Sequence, residues 1–300
     1  MHAKTVIGID VGGTKISVGR VSENKKVVER LQFLTESKKG GEQVIKKIID
    51  AAAKLQTPAV TAIGVGIAGI VDYEKGLFIG GPNLPKNLKN TPLASVLKKR
   101  FRLPTAIDND VHCFTLAEAK LGSAKRFSHV VGLTFGTGVG GGIVLDGQLY
   151  RGRNNAAGEF GHTTISKEGA ARCGCGKKGH FEAYASGTAM TAFYFSLSGR
   201  SLAPSQIEER AANADRKAKR VLAVTTDAIA MGLANIIYAL NPEAIVVGGG
   251  LANLKSLWGP VRTKTRELIL SPLLRNTPIV HASLGADAGI LGAALLAEKK

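Results

Sequence analysis

Apolar and polar positions fall into a plan that is laid down twice. Residues 5–10 (TVIGID) form a short apolar run, a Gly-Gly turn follows, and further runs cover 15–21 and 27–34. Three successive runs with no helix between them predict a β-meander, not a βαβ unit. From 42 to 55, Val44, Ile45, Ile48, Ile49, Ala52 and Leu55 recur at helical spacing, and 61–71 returns to a buried strand. The pattern then predicts a helix over 93–101, a short strand over 105–107 and a helix over 111–121 that ends at Gly122. At His129 the plan restarts with HVVGLTF, a glycine-rich turn over 136–142 (GTGVGGG), a strand over 143–145, an Asp146-Gly147 turn and QLY. The repeat lies in the pattern, not in residue identity. Beyond a loop of Cys, Gly and Lys the chain reads as largely helical, with a long helix over 216–240. A strand at 244–247 precedes three glycines, and a last helix over 287–299 is placed to pack back on the first half. Two similar halves with a cleft between them account for this order economically.

Composition narrows the class. The chain has 300 residues, 44% hydrophobic and 21% charged, which excludes disorder and suffices for one large domain or two. Its 37 glycines exceed the average of roughly 7% and point to turns and ligand loops. Three cysteines cannot build a disulfide framework, and Asp10 interrupts the first apolar run, so no secretory signal is expected. A cytoplasmic, reducing location is the expectation. The longest uncharged stretch, 127–145, contains six glycines, and no membrane span is expected there. The net charge of +17 raises nucleic-acid binding, but the basic residues are spread and few aromatic residues interleave with them. Solvated helix faces and a general attraction for anionic ligands explain the charge, so no nucleic-acid partner is expected.

The sequence IGIDVGGTK sets Asp10, Gly12, Gly13, Thr14 and Lys15 at the end of an apolar strand. Glycines let backbone N–H groups approach phosphate oxygens, Asp10 can hold Mg²⁺ directly or through water, and Lys15 adds positive charge. A plain hairpin turn is the alternative, and a second such turn at Gly136, Thr137 and Gly138 weighs against it. Gly136, Gly138 and Gly141 formally spell the dinucleotide fingerprint. That fingerprint needs a helix after the turn, whereas Ile143, Val144 and Leu145 continue as a strand. A P-loop sequence is also absent.

Between 162 and 180, His162, Cys173, Cys175 and His180 gather four soft or borderline ligands, with Gly174, Gly176 and Gly179 to let a short loop wrap an ion. Tetrahedral zinc accepts this donor set, although the spacing is not that of a DNA-reading finger. Reduced thiols and exposed histidines on a flexible loop are the alternative.

Eight motifs, in this order, resemble the ROK family (repressor, open reading frame, kinase), and most closely its glucokinase-like sugar kinases. They are DVGGTK at 10–15, GIAG at 66–69, GPNL at 81–84, DNDV at 108–111, GTGVGGG at 136–142, GEFGH at 158–162, CGCGKKGHFEAYASG at 173–187 and GGG at 248–250. The resemblance implies an α/β, two-lobed, actin-like ATPase fold of the hexokinase and heat-shock-protein 70 superfamily. Its core is a duplicated β-meander with added α/β units and a cleft between lobes. Residues 1–121 with 287–300 would form the smaller lobe, and 122–286 the larger one carrying the zinc loop.

The same resemblance implies ATP-dependent phosphorylation of a hexose, with glucose first and N-acetylmannosamine, N-acetylglucosamine or fructose as rivals. Asp110 matches the catalytic base; from local sequence alone it would be a helix cap. Sugar contacts are implied for Asn83, Asn109, Asp110, Glu159, His162 and Glu182. Phosphate and nucleotide contacts are implied for the loops at Asp10–Lys15 and Gly136–Gly138, and for Gly248, Gly249 and Gly250. The zinc would be structural, and the family implies a homodimer with no nucleic-acid or membrane partner. A ROK repressor would need a helix-turn-helix ahead of the first core strand, where little sequence precedes it; a non-catalytic sugar sensor would not need both Asp110 and the phosphate loops. Two departures stand out: the family usually has a third Cys at the position of His180, and commonly Asn at that of His112.

Overall fold

The computed structural model describes residues 3–167 and 170–298. Its elements run β1 (Thr5–Val11), β2 (Lys15–Ser22), β3 (Val27–Leu34), α1 (Gly41–Leu55), β4 (Val60–Ile67), β5 (Ile70–Asp72), β6 (Leu77–Gly80), α2 (Leu93–Phe101), β7 (Thr105–Asn109) and α3 (Asp110–Lys120). They continue with β8 (Val130–Phe135), β9 (Val139–Leu145), β10 (Gln148–Leu149), α4 (Glu182–Ala185), α5 (Gly187–Ser198), α6 (Pro204–Ala212), α7 (Arg216–Leu240), β11 (Ala244–Gly248), α8 (Trp258–Leu268), α9 (Pro272–Arg275), β12 (Ile279–His281) and α10 (Ala288–Ala297). The final helix was expected to reach 299, which lies outside the described residues, as do Glu168 and Gly169 of the Cys-rich loop.

Two five-stranded sheets share one order. The first is β3-β2-β1-β4-β7 and the second β10-β9-β8-β11-β12. In each, a three-strand meander is extended by two parallel strands: β4 and β7 beyond β1, β11 and β12 beyond β8. This is the duplicated plan of the actin-like ATPase fold. Two boundaries differ from the hydrophobic pattern. The apolar run 61–71 is two strands, because Gly69 turns the chain at φ 132°, where a Cβ would lie 2.5 Å from the Gly80 carbonyl oxygen. The glycine-rich turn is shorter than 136–142, since β9 begins at Val139 and carries Gly140, Gly141 and Gly142 as strand residues.

Contacts divide the chain into two units. Unit 1 comprises Met1–Ser128, Gly142–Ala157 and Ser283–Lys300, and unit 2 comprises His129–Gly141 and Gly158–Ala282. In unit 1, strand alternation separates two apolar layers. Ile7, Ile9 and Val11 of β1 join Val44 and Ile48 of α1 and Leu97 of α2, while Val6, Ala62 and Ala106 join α3 and α10. A row of glycines seats α10. Gly19, Gly8 and Gly64 are register neighbours across β2, β1 and β4. A Cβ on Gly8 would lie 2.1 Å from the Ile290 carbonyl oxygen, and one on Gly64 1.7 Å from that of Ala293, so the helix backbone rests directly on the sheet. The buried Glu118 carboxylate fixes the far end of α3 by accepting from the backbone N–H groups of Ser123, Ser283 and Leu284, each at 2.9 Å.

Unit 2 is built around α7. Asp215 caps it, accepting from Lys217 N at 2.8 Å and Ala218 N at 3.2 Å, and Asn241 ends it in the left-handed region at φ 42°. By length and composition α7 is apolar enough to cross a membrane, but Val221, Ile229, Leu233 and Ile237 are buried against β8, β11 and the neighbouring helices. It is the core helix of its unit.

Candidate active site

Strands β1, β4 and β7 run parallel, so their C-terminal ends share one edge of the unit 1 sheet. That edge holds Asp10, the Gly12–Lys15 turn and the β7–α3 junction. The turn closes through Gly12 N–H to the Lys15 carbonyl at 2.9 Å, and the Thr35 hydroxyl donates to the Gly12 carbonyl at 2.7 Å. Gly13 lies against the GPNL segment: a Cβ there would be 2.6 Å from Cβ of Asn83. Thr14, Lys15 and Asn83 are exposed. The fold thus brings Asn83 to the first glycine turn.

Burial, reinforced by the nearby Asp110 carboxylate, pushes the Asp10 carboxyl up to about 7; Lys15 and Arg30 oppose the rise. Two carboxylates at one strand edge suit a divalent cation and a general base. Asn109, not Asp110, caps α3: its Oδ1 accepts from Val111 N at 2.8 Å and His112 N at 3.1 Å, and its Nδ2 donates to the Gly69 carbonyl at 2.9 Å. Asp110 is the first helical residue, with Oδ1 accepting from Val111 N at 3.0 Å.

Beneath this junction lies a buried charge network. Asp108 is fully buried, and its Oδ1 meets His112 Nδ1 at 2.8 Å, Asn155 Nδ2 at 3.1 Å and its neighbour's N–H at 2.8 Å. Arg151 Nε donates to its Oδ2 at 2.6 Å, and the Arg151 guanidinium stacks 3.8 Å from the Tyr73 ring centroid. Burial opposes the Asp108 charge, but His112 and Arg151 outweigh it and hold the carboxyl below its ordinary range. Arg151 and Asn155 lie outside every motif, and Asp108 opens the DNDV motif at 108–111, which gives it no role of its own. Asp108 and His112 stand four apart across a strand-to-helix junction, a spacing that could have flagged them, whereas Arg151 and Asn155 carry no pattern.

In unit 2, Gly136, Thr137 and Gly250 line a cavity of about 890 Å³ with Thr188 and Phe195 of α5 and Pro204 of α6. Gly138, Gly248 and Gly249 are not among its lining residues. A Cβ on Gly138 would meet Glu182 Oε2 at 2.3 Å, which places Glu182 against the second glycine turn. Glu182 Oε2 accepts from Val139 N at 3.1 Å, and its Oε1 from the Cys173 thiol at 3.2 Å.

The Cys-rich loop folds back as a short ribbon, with Thr164 bridged to His180 and Arg172 to Lys178. This gathers one ligand atom from each of His162, Cys173, Cys175 and His180 within 4.8 Å of one another. Cys173 Sγ and His162 Nδ1 are 3.8 Å apart, and Cys175 Sγ and His180 Nδ1 3.3 Å. Tetrahedral zinc with thiolate and imidazole ligands needs edges of about 3.3 to 3.8 Å, so the donor set fits that ion. His162 Nε2 lies 3.8 Å from Glu159 Oε2, the kind of outer carboxylate that orients a ligating imidazole. Burial, ahead of the Glu182 hydrogen bond, pushes the Cys173 thiol up to about 12. Metal binding therefore requires release of its proton.

The predicted sugar residues fall in both units: Asn83, Asn109 and Asp110 in unit 1, and Glu159, His162 and Glu182 in unit 2.

Comparison with known proteins places the whole chain. The chain is 34% identical to a glucokinase of Thermotoga maritima over 98% of both chains. It is 31% identical to an N-acetyl-D-glucosamine kinase of Pectobacterium carotovorum, over 96% of this chain and 97% of that one. A crystal structure of a ROK family glucokinase from Streptomyces griseus in complex with glucose and AMPPNP superposes with a TM-score of 0.83 at 30% identity, over 99% of this chain and 100% of that one. The ROK family model matches residues 6–300, and the chain belongs to the ROK family as one of its sugar kinases.

Proposed function

We propose that the protein transfers the γ-phosphoryl group of ATP to the 6-hydroxyl of a hexose, with glucose as the preferred acceptor. The observation that carries this reading is the pair of carboxylates at the C-terminal edge of the unit 1 sheet, Asp110 opening α3 and Asp10 ending β1 beside the glycine turn. Asp110 accepts the proton of the attacking hydroxyl, which leaves an alkoxide-like oxygen to displace ADP from the γ-phosphorus. Asn83, Asn109, Glu159, His162 and Glu182 orient the sugar hydroxyls. Backbone N–H groups of Gly12 and Gly13, with Thr14 and Lys15, receive phosphate oxygens, and the unit 2 cavity beside Thr137 and Gly250 has the volume and apolar lining for an adenosine. Asp10 would hold Mg²⁺, which neutralises triphosphate charge when bound. His162, Cys173, Cys175 and His180 would hold a structural zinc, with no ligand position left over for a reactive water.

A second reading, N-acetylhexosamine phosphorylation, is favoured by the 31% identity to the Pectobacterium enzyme. ADP release measured with Mg²⁺, ATP and a panel of glucose, N-acetylglucosamine, N-acetylmannosamine and fructose decides between them. Glucose is expected to give the highest kcat/KM. Absence of sugar-dependent ADP release across the panel would overturn the kinase reading.

A further inference from the structure

His112 is buried, and both of its ring nitrogens face acceptors. Nδ1 lies 2.8 Å from Asp108 Oδ1 and Nε2 3.0 Å from the Ala157 carbonyl oxygen. A carbonyl can only accept, so Nε2 carries a proton. A carboxylate held ionised by Arg151 also accepts, so Nδ1 carries one too. The ring is thus an imidazolium. Burial alone would push its pKa down, but the Asp108 bond and charge and the Ala157 carbonyl hold it above its ordinary value, with Arg151 as the opposing charge. Among the described residues, the elements packed most closely on α3 besides β7, namely β4, β10 and α10, contain no ionisable side chain.

The two acceptors belong to different stretches of chain. Asp108 immediately precedes Asn109 and Asp110. Ala157 ends the segment in which Arg151 and Asn155 also bind Asp108, and two residues later the chain reaches Glu159.

We propose that His112 is a positioning residue for phosphoryl transfer: as a doubly protonated clamp it fixes the β7–α3 junction that presents Asp110 to the segment that leads into Glu159. It acts through Asp108 and Ala157 and touches no reacting atom. The inference rests on the assignment of Asp110 as base and of Glu159 as a sugar ligand. Its consequence is selective. Loosening the clamp should harm the sugar and leave the nucleotide alone, because Thr14, Lys15 and the unit 2 cavity have no contact with His112 among the described hydrogen bonds.

The test compares wild type, His112→Ala with and without added imidazole, and Asp110→Asn, by steady-state kinetics in both substrates. His112→Ala should lower kcat/KM for sugar about 10- to 100-fold, a loss comparable with that from a small misplacement of reacting groups, while KM for ATP stays within about twofold. Added imidazole should restore part of the sugar kcat/KM by refilling the cavity. Wild-type sugar kinetics in His112→Ala, or an equal loss for sugar and ATP untouched by imidazole, would overturn the proposal. Should His112→Ala fail to fold, ¹⁵N NMR of the wild-type ring at pH about 6.5, where an ordinary imidazole is half neutral, decides instead. Two ring N–H protons support the clamp, and a neutral ring overturns it. Full activity in Asp110→Asn would refute the underlying assignment of the base while leaving the His112 measurements intact.

Discussion

Around Asp108 the chain supplies its own partners: a guanidinium at 2.6 Å, an imidazole at 2.8 Å and the Asn155 amide at 3.1 Å from the buried carboxylate. Around Cys173 it supplies metal-donor atoms, with Cys173 and His180 buried, Cys175 and His162 exposed, and the thiols facing neighbouring imidazoles and Glu182. Each region flanks residues assigned to the sugar. The first is complete within the polypeptide, because desolvation of Asp108 is offset by paired charge and hydrogen bonds. The second gathers a donor set that a structural cation would close. On the proposed reading, folding itself orders Asp110, whereas Glu159 and Glu182 would also depend on a bound ion.

Three changes break or sharpen that contrast. The largest effect is expected from Asp110→Asn, whose amide cannot take the hydroxyl proton: turnover should fall about 10² to 10⁴-fold, with sugar binding by calorimetry nearly unchanged. The contrast fails at its functional end if that variant turns over normally.

Removal of zinc should come next. With Glu159, His162 and Glu182 to be ordered by the sugar at about 0.5 to 1.5 kcal/mol each, KM for glucose should rise at least about tenfold before the fold is lost. His180→Ala should mimic the chelator and His180→Cys should keep both metal and activity, as elemental analysis and glucose titration would show. A fully active preparation without stoichiometric zinc would show that the loop orders itself.

The smallest effect is in pH dependence. His112, raised above about 6.5, stabilises fully below that value and loses its contribution as pH rises through its folded value. Asp108, held below the ordinary carboxylate range, contributes above about 3.9 and loses it only as pH falls through its folded value. The Tm difference between wild type and His112→Gln should therefore be widest between pH about 4 and 6.5 and narrow at higher pH. A constant difference would show that the ring acts by packing alone.

Much of this was legible in the sequence because the signals were local. The run of Val44, Ile48 and Leu55 marked α1, and the long helix expected over 216–240 is α7, Arg216–Leu240. Four ligands in a short glycine-spaced tract announced the Cys/His cluster. What stayed hidden depended on approach between distant segments. Gly140, Gly141 and Gly142 read as turn residues, yet they are strand residues with no room for a Cβ at Gly141, beside Phe160, or at Gly142, beside Thr115. The cap on α3 fell to Asn109 because Gly69 presents a carbonyl to its amide, a partner forty residues away. Arg151 and Asn155 reach Asp108 from a loop with no periodicity to betray it.

Phosphorus NMR of the zinc-loaded protein mixed with MgATP and glucose tests the central claim most directly. ATP signals should give way to ADP and one new phosphomonoester coupled to the protons on carbon 6. No phosphomonoester from ATP would contradict the kinase reading, and one without coupling to carbon 6 would contradict the 6-hydroxyl as acceptor.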